Sequence, residues 1–455
     1  MQVTERNSKY AILLIFVLAF VLRAWYVFTL EAPSPIRADA RKYTAIAYNI
    51  VNYGVYSPRF GKEPSPDTWI APGYPLFLTL FSGSLKNPAI EEPISLVPFY
   101  KTVLLSQALL SALSVLLLTA IGYRALGYWP GIVAGLVSAF SPHLIVGAGY
   151  VLTETLFITL MLASLAVWTL ADFRSHPLRN WAIMGVICAM AAMVRPVYGL
   201  FPLALAAAAG WAWQYKARQL LASVVVVLIV TALVWTPWGL YRAEHKGVEE
   251  VSAVAASFAL GQYPDLIYRT PELRGFPYRE DPEYNEMQKS FSKAISVTLA
   301  RATQEPWRYL KWYLIGKPIQ FLSWSIVVGQ GGPFIYPVDK SLFSLPSPGM
   351  YILYVYKYAH GLFLLATLMV VGLSVRMMWK RERTADRPLD AMILFCGVIT
   401  VYFVLAHTVL APLPRYSIPL HPIYYLCFAW AIKTGLDLAS PGKDKENLRP
   451  KAMGE

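Results

Sequence analysis

Charge is scarce in this chain. Asp, Glu, Lys and Arg make up 15% of its 455 residues, against about 25% in an ordinary soluble protein. With 56% hydrophobic residues and a mean hydropathy of +0.45, too little polar surface remains to cover a water-exposed globule, so a soluble class is excluded. Cysteine is also rare: Cys188, Cys396 and Cys427 all lie in apolar runs. That pattern excludes a disulfide framework and a cysteine metal cluster. Histidine occurs six times and never in a His-x-x-x-His spacing. A catalytic metal needs three or four ligands in defined geometry, so no cofactor is expected, with a divalent metal left open. Internal repeats and low-complexity segments are absent. Acidic residues are fewer than basic ones, 27 against 40, for a net charge of +13. Such an excess fits nucleic acid in general, but here the basic residues sit mainly in short loops between apolar runs. The positive-inside rule puts them there, and nucleic acid is excluded as a partner.

What the chain has is long apolar runs. About 20 apolar residues cross a bilayer as a helix. Ten segments qualify: 10–30, 102–123, 131–148, 151–171, 181–194, 197–213, 220–240, 351–375, 391–410 and 418–432. The segment 181–194 is short, and Pro196 ends it, because proline disfavours helix in the residue before it. The first run is too long for a signal-peptide core and reads as a retained helix. With ten spans, one side receives Arg6 and Lys9, Arg124, Arg174 and Arg179, and Lys216 and Arg218. It also receives Arg376, Lys380, Arg381, Arg383 and Arg387, then Lys433, Lys443, Lys445, Arg449 and Lys451. That side is the cytoplasm, with both termini in it. The expected architecture is an all-α polytopic protein of the cell (inner) membrane. Residues 1–240 form a seven-span module with an outer loop at 31–100. A second outer loop covers 241–350, a three-span module 351–435 and a cytoplasmic tail 436–455. Both loops carry short interfacial helices. The second contains the aromatic and basic run Trp307-Arg308-Tyr309-Leu310-Lys311-Trp312, which suits a membrane interface. The apolar, glycine- and proline-rich stretch 318–334 is open between an interfacial piece, a re-entrant piece and a helix pair.

Just after the first span comes Arg37-Ala38-Asp39-Ala40-Arg41-Lys42-Tyr43. Beyond it Tyr43, Ile46, Ala47, Ile50 and Val51 recur at helical spacing and share one face. Gly54 marks the turn that follows. Asp39 thus opens an amphipathic helix that can lie in the interface plane. It reads in two ways that are compatible, as a helix N-cap or as a general base. A capping box is absent, since Lys42 stands where Glu or Gln would reach back.

Ionisable residues in or beside spans are costly and mark function by default. Arg23, Asp39, Glu154, Arg195 and Arg415 are the candidates. The last four fall at the outer ends of spans. Taken singly, each arginine reads as a head-group anchor and Glu154 as a carboxylate favoured by a helix N-terminus. Together they are two carboxylates and two guanidiniums from distant parts of the chain on one surface. Arg23 lies deeper, and either pairs with a carboxylate or snorkels outward. His143, His407 and His421 also lie near outer ends, and a His–Glu154 contact is allowed. This layout suits group transfer from a lipid-linked donor. Arginine holds the leaving phosphate bidentately, and a carboxylate deprotonates the acceptor hydroxyl from the opposite face of the sugar, which inverts the anomeric centre.

Four stretches carry a family resemblance. They are Arg37 to Tyr43 with Ala47-Tyr48-Asn49-Ile50, then Pro72-Gly73-Tyr74-Pro75-Leu76-Phe77, Thr153-Glu154-Thr155-Leu156-Phe157 and Arg415-Tyr416-Ser417-Ile418-Pro419-Leu420. In order and in membrane side they resemble the GT-C class of membrane glycosyltransferases. The branch they look most like is that of bacterial protein O-mannosyltransferases and the lipid A aminoarabinose transferase. The resemblance implies a GT-C-like helical bundle, an outward-facing site and a polyprenyl-phosphate-sugar donor, with a glycolipid, glycan or protein as acceptor. It implies catalytic roles for Asp39 and Glu154. Arg37, Tyr43, Tyr74, Arg195, Arg415 and Tyr416 are the expected substrate-binding residues. Ala40 follows Asp39 where the mannosyltransferase pattern has an acidic pair, and no large soluble domain follows the spans, so a protein acceptor is disfavoured. A lipid-linked-sugar flippase and a glycan polymerase or ligase are the competing functions.

Overall fold

The structure is a computed structural model. It describes residues 5–439 apart from 62, 87–96, 174, 215, 246–250, 265, 267–276, 327–330, 345 and 381–387. Of the basic residues used for orientation, Arg174, Arg381, Arg383, Arg387, Lys443, Lys445, Arg449 and Lys451 lie outside the described residues, as does most of the tail.

Helix follows helix along the chain: α1 (Glu5–Thr29), α2 (Ala38–Tyr53), α3 (Gly73–Thr79), α4 (Val97–Leu126), α5 (Tyr128–Ala139), α6 (Pro142–Ala148), α7 (Glu154–Leu170), α8 (Pro177–Val194) and α9 (Phe201–Ala212). Then come α10 (Ala217–Glu244), α11 (Ala253–Gly261), α12 (Tyr284–Lys289), α13 (Phe291–Gln304), α14 (Pro306–Lys311), α15 (Lys317–Phe321), α16 (Pro348–Lys380), α17 (Pro388–Val409) and α18 (His421–Ala439). Among the described residues there are two isolated β-bridges and no strand. Every expected span is occupied by helix. Six of them, α1, α4, α8, α10, α16 and α17, are long and apolar enough to cross a membrane, and the bent pair α5–α6 makes a seventh if counted as one span. The protein is therefore a multi-pass, all-helical membrane protein.

Helix α4 packs against α1, α5 and α7, while α16 packs against α17 and α18, and α17 reaches α7 and α9. One apolar core runs through these contacts. Helix α10 lies on α8 and α9 at the rim. Its Leu221, Leu228, Leu233 and Leu240 are exposed, a helix apolar all round that suits lipid on its free side.

Two buried cations stabilise backbone breaks. The bend of 52° between α5 and α6 follows from Pro142, which cannot continue the α5 hydrogen-bond ladder. The bend leaves C-terminal carbonyls of α5 without helical partners. Arg23, fully buried in α1, donates to Ser138 O at 3.2 Å and Ala139 O at 3.0 Å, with Nε on Ser111 Oγ at 2.6 Å. Neither expected reading of Arg23 holds. It meets helix-end carbonyls in place of a carboxylate, and it has no exposed surface through which to snorkel. Lys317 behaves alike at the end of α17: its buried Nζ donates to Thr408 O, Val409 O and Leu410 O at 2.8, 3.3 and 3.2 Å. Cations are favoured at such C-terminal ends by the helix dipole.

That second contact docks the segment 241–350 beside the chain that leads to Arg415. Within it, α14, a π-helical turn (Trp312–Gly316) and α15 form one unbroken helical run. Among the described residues of the stretch 318–334, 318–321 end that single helix and 322–326 and 331–334 are irregular, with no second helix. The two long segments also meet each other. Glu31 N–H donates to Lys340 O at 2.9 Å and Asp339 N–H to Glu31 O at 2.8 Å.

Candidate active site

Each charged residue of the candidate site is delivered by a local break in helix. Of the expected apolar face of helix α2, Ile46 and Ala47 are buried and Tyr43, Ile50 and Val51 half-buried, but Thr44, Ala45, Tyr48 and Asn49 are buried too, so the helix is enclosed on more than one face; Gly54 closes it in a left-handed turn at φ 69°. Its N-cap is Arg37, without a side-chain cap bond. Asp39 therefore sits in the first helical turn and not at the cap, which corrects that reading. It is still favoured there by the helix dipole. The preceding Ala38 has φ 46°, a left-handed conformation that costs an alanine about 1–2 kcal/mol. That strained residue sets the direction in which Asp39 leaves the chain.

Arg195 has a similar origin. Because Pro196 follows, Arg195 turns extended (φ −138°, ψ 102°) and α8 stops at Val194. The start of α3 presses on that helix end. A Cβ on Gly73 would stand 2.7 Å from Met193 C and 2.8 Å from Val194 N, closer than any side chain tolerates. Only glycine lets α3 seat against the peptide that holds Arg195. Glu154 is the first residue of α7, and Arg415 lies in the short 3-10 segment Pro414–Leu420 ahead of α18.

These four residues form one ion-pair chain. Arg415 Nη1 meets Asp39 Oδ2 at 2.9 Å. Arg415 Nε and Arg195 Nη2 both meet Glu154 Oε1, at 2.5 and 2.6 Å. Arg195 Nε also donates to Thr153 Oγ1 at 3.0 Å. Glu154 is the hub: its side chain is 1% exposed, while Asp39 at the far end is 41% exposed. Two carboxylates against two guanidiniums leave the set formally neutral. Burial disfavours the Arg415 charge, but Glu154 and Asp39 overcome that and hold its pKa well above the ordinary value. Arg415 stays charged at any working pH.

Aromatic rings wall the set. Arg195 lies over Phe157 and Tyr416, at 5.6 and 5.7 Å from the ring centres, a contact that favours a cation. Tyr43 packs edge-on to Tyr74 at 5.2 Å. Tyr74 is fully buried and donates to Gln107 Oε1 at 2.6 Å. Arg37 stands over Tyr336, 5.8 Å from its centre, apart from the quartet. His143 makes no direct bond to Glu154; its Nε2 meets Trp324 O at 2.9 Å. His407 stacks on Phe321, and His421 Nδ1 meets Tyr425 OH at 3.2 Å. Thr153 stands in one of the resembling stretches without being singled out, and Gln107 and Tyr336 lie outside all four, where an uncharged side chain gives no signal.

Among the described residues no three His, Cys, Asp or Glu stand as ligands to a metal. The two site carboxylates are bridged by Arg415, whose positive charge opposes a dication between them. This donor set does not fit a divalent metal.

No family model matches the sequence, and no curated protein matches it. Solved structures do. The archaeal oligosaccharyltransferase AglB from Archaeoglobus fulgidus, in complex with an inhibitory peptide and a dolichol-phosphate, matches at 13% identity and TM-score 0.52, over 98% of this chain and 53% of that one. A complex of the A. fulgidus oligosaccharyltransferase with Zn and sulfate matches at 14% identity and TM-score 0.50, over 94% and 49%. ArnT from Cupriavidus metallidurans bound to undecaprenyl phosphate is a looser likeness, at 13% identity and TM-score 0.38 over 87% and 77%. The chain spans about half the length of the oligosaccharyltransferase structures it matches. The likeness is one of fold, between nearly all of this chain and about half of the oligosaccharyltransferase chain.

Proposed function

We propose that this protein is an inverting glycosyltransferase. It moves a sugar from a polyprenyl-phosphate-linked donor to a hydroxyl acceptor on a glycolipid, glycan or protein, at the outer face of the membrane. The observation that carries this reading is the Asp39–Arg415–Glu154–Arg195 chain, most exposed at Asp39 and most buried at Glu154. In this reading the donor phosphate takes Arg415 Nη1 from Asp39. Asp39 is thereby freed to accept the proton of the acceptor hydroxyl. The hydroxyl oxygen then attacks the anomeric carbon, the carbon–oxygen bond to phosphate breaks, and polyprenyl phosphate leaves on Arg415 and Arg195. Glu154 holds the two arginines side by side, and Tyr416 and Tyr43 wall the pocket. Arg37 lies further out, where it can meet donor or acceptor. No step passes through a metal.

A fold likeness to a protein whose structure holds a dolichol-phosphate supports a lipid-linked donor. It also favours a second reading, in which the donor carries an oligosaccharide. Transport is less well supported, because transporters place binding groups near the midplane on broken helices of repeated halves, whereas here the charges gather at span ends. Membranes containing the protein and a radiolabelled polyprenyl-phosphate sugar separate these functions. Transfer of label to an acceptor is expected. Movement of label across the bilayer without transfer would identify a flippase.

The orientation is part of the proposal, with 37–100 and 241–350 outside, and 376–390 and both termini in the cytoplasm. A Thr384→Cys variant in a cysteine-free background tests it. An impermeant thiol reagent should leave position 384 unlabelled in intact cells and label it in opened ones. Labelling in intact cells would invert the topology and place the site on the wrong side for such a donor.

A further inference from the structure

Glu154 uses only one of its two oxygens on the arginines. The other, Oε2, is buried with no hydrogen-bond partner. A buried carboxylate oxygen left so is costly, and one other orphan points to its remedy. His143 is 1% exposed, and its Nδ1 is likewise buried without a partner. Its Nε2 lies 2.9 Å from Trp324 O. A carbonyl can only accept, so Nε2 carries the proton and Nδ1 is an acceptor. Both orphans are therefore acceptors, and they cannot satisfy each other.

Both residues line one cavity of about 10 Å³, together with Ser111, Ser114, Thr155 and Ile418. That is about the smallest space that admits one water molecule. The three hydroxyls are already spent as donors on backbone carbonyls, Ser111 on Leu144 O, Ser114 on Leu110 O and Thr155 on Gly147 O. The rest of the lining, with Leu144, Gly147, Ile158 and Ile418, is apolar, so the two unsatisfied acceptors call for one molecule with two donors.

We infer that a single buried water bridges Glu154 Oε2 and His143 Nδ1, and that His143 is thereby a positioning residue for the site. The water's two O–H groups satisfy the two acceptors. The bridge fixes the Glu154 carboxylate so that Oε1 alone faces Arg195 and Arg415. His143 touches no reacting atom. The water rests on geometry alone; its consequence for turnover rests on the transferase reading.

Two measurements on the full-length protein test this. A water-resolving cryo-EM map should show density about 3 Å from both atoms. A dry cavity, or a direct Glu154–His143 bond, overturns the bridge whether or not the protein transfers sugar. The kinetic arm uses two amides as partial histidines. Asn places its oxygen where Nδ1 stands; Gln places its N–H₂ where Nε2 stands and keeps the bond to Trp324. With labelled donor, His143→Asn should stay within about threefold of wild-type kcat. His143→Gln and His143→Leu should each lower kcat roughly tenfold at unchanged donor KM, about the worth of one hydrogen bond. If His143→Gln equals or exceeds His143→Asn, the histidine acts only through Trp324 and its positioning role is wrong. A wild-type protein that transfers no label sinks the transferase reading and leaves the map to decide the bridge.

Discussion

Asp39→Asn should lose roughly 10²–10⁴-fold in turnover, the usual cost of removing a general base, while the protein remains folded. The side chain keeps its size and its place in the first turn of α2. It loses its charge, its basicity and the ion pair with Arg415. That pair is 41% exposed on the Asp39 side, and exposed pairs are worth about 0–1 kcal/mol, so the melting temperature should hardly move. Asp39→Ala should be as inactive. Since Asp39 makes no N-cap bond, alanine should cost little stability too. The measurement is transfer from labelled donor together with thermal unfolding in detergent. An Asp39→Asn protein with near-normal turnover would remove Asp39 from the mechanism and make Glu154 the next carboxylate to test.

Arg415→Ala should damage both stability and donor use. Its guanidinium holds Glu154 through Nε and Asp39 through Nη1, and its side chain is 14% exposed. Removing one partner of a buried pair costs about 3–5 kcal/mol. Arg195 still holds Glu154, so the loss should fall at the lower end of that range. Donor turnover should drop roughly 10²-fold or more, the scale for truncating a buried charge that meets a charged partner. Arg415→Lys should restore part of the stability and little of the activity, because an ammonium is a point charge and cannot replace a planar fork. Arg195→Ala should weaken donor use less, since Arg195 is further from Asp39 along the chain of pairs. Wild-type donor turnover in both alanine variants would show that these arginines are only anchors.

Much of this was legible from residue order. Ten apolar runs announce ten helical regions, because hydropathy over 20 residues is a local property and the bilayer imposes its thickness on it. The end of α2 at Gly54 and the stop before Pro196 are equally local. That Asp39, Glu154, Arg195 and Arg415 meet could also be anticipated, because a charge at a span end is expensive wherever it occurs. What could not be read is who holds whom. Arg415 and Asp39 stand 376 positions apart, and only the packing of α7, α17 and the 3-10 segment decides that Glu154 is the hub and Asp39 the free end. Arg23 shows the same limit. Its partners include the Ser138 and Ala139 carbonyls at the bend before Pro142, and a carbonyl has no signature in the sequence. The N-cap reading of Asp39 missed by two positions because Ala38 takes a left-handed conformation that an alanine rarely adopts.

The order of the four residues along the chain has a consequence for how the protein is made. Asp39, Glu154 and Arg195 leave the ribosome long before Arg415. Through all of that interval Glu154 can have at most one of its two arginines, and the other half of the hub is uncompensated at a helix end. The site is thus completed only when the segment ahead of α18 docks, late in synthesis. A nascent chain arrested before residue 415 carries every span up to α17 and still exposes an unsettled carboxylate, which is a distinction that membrane quality control could recognise.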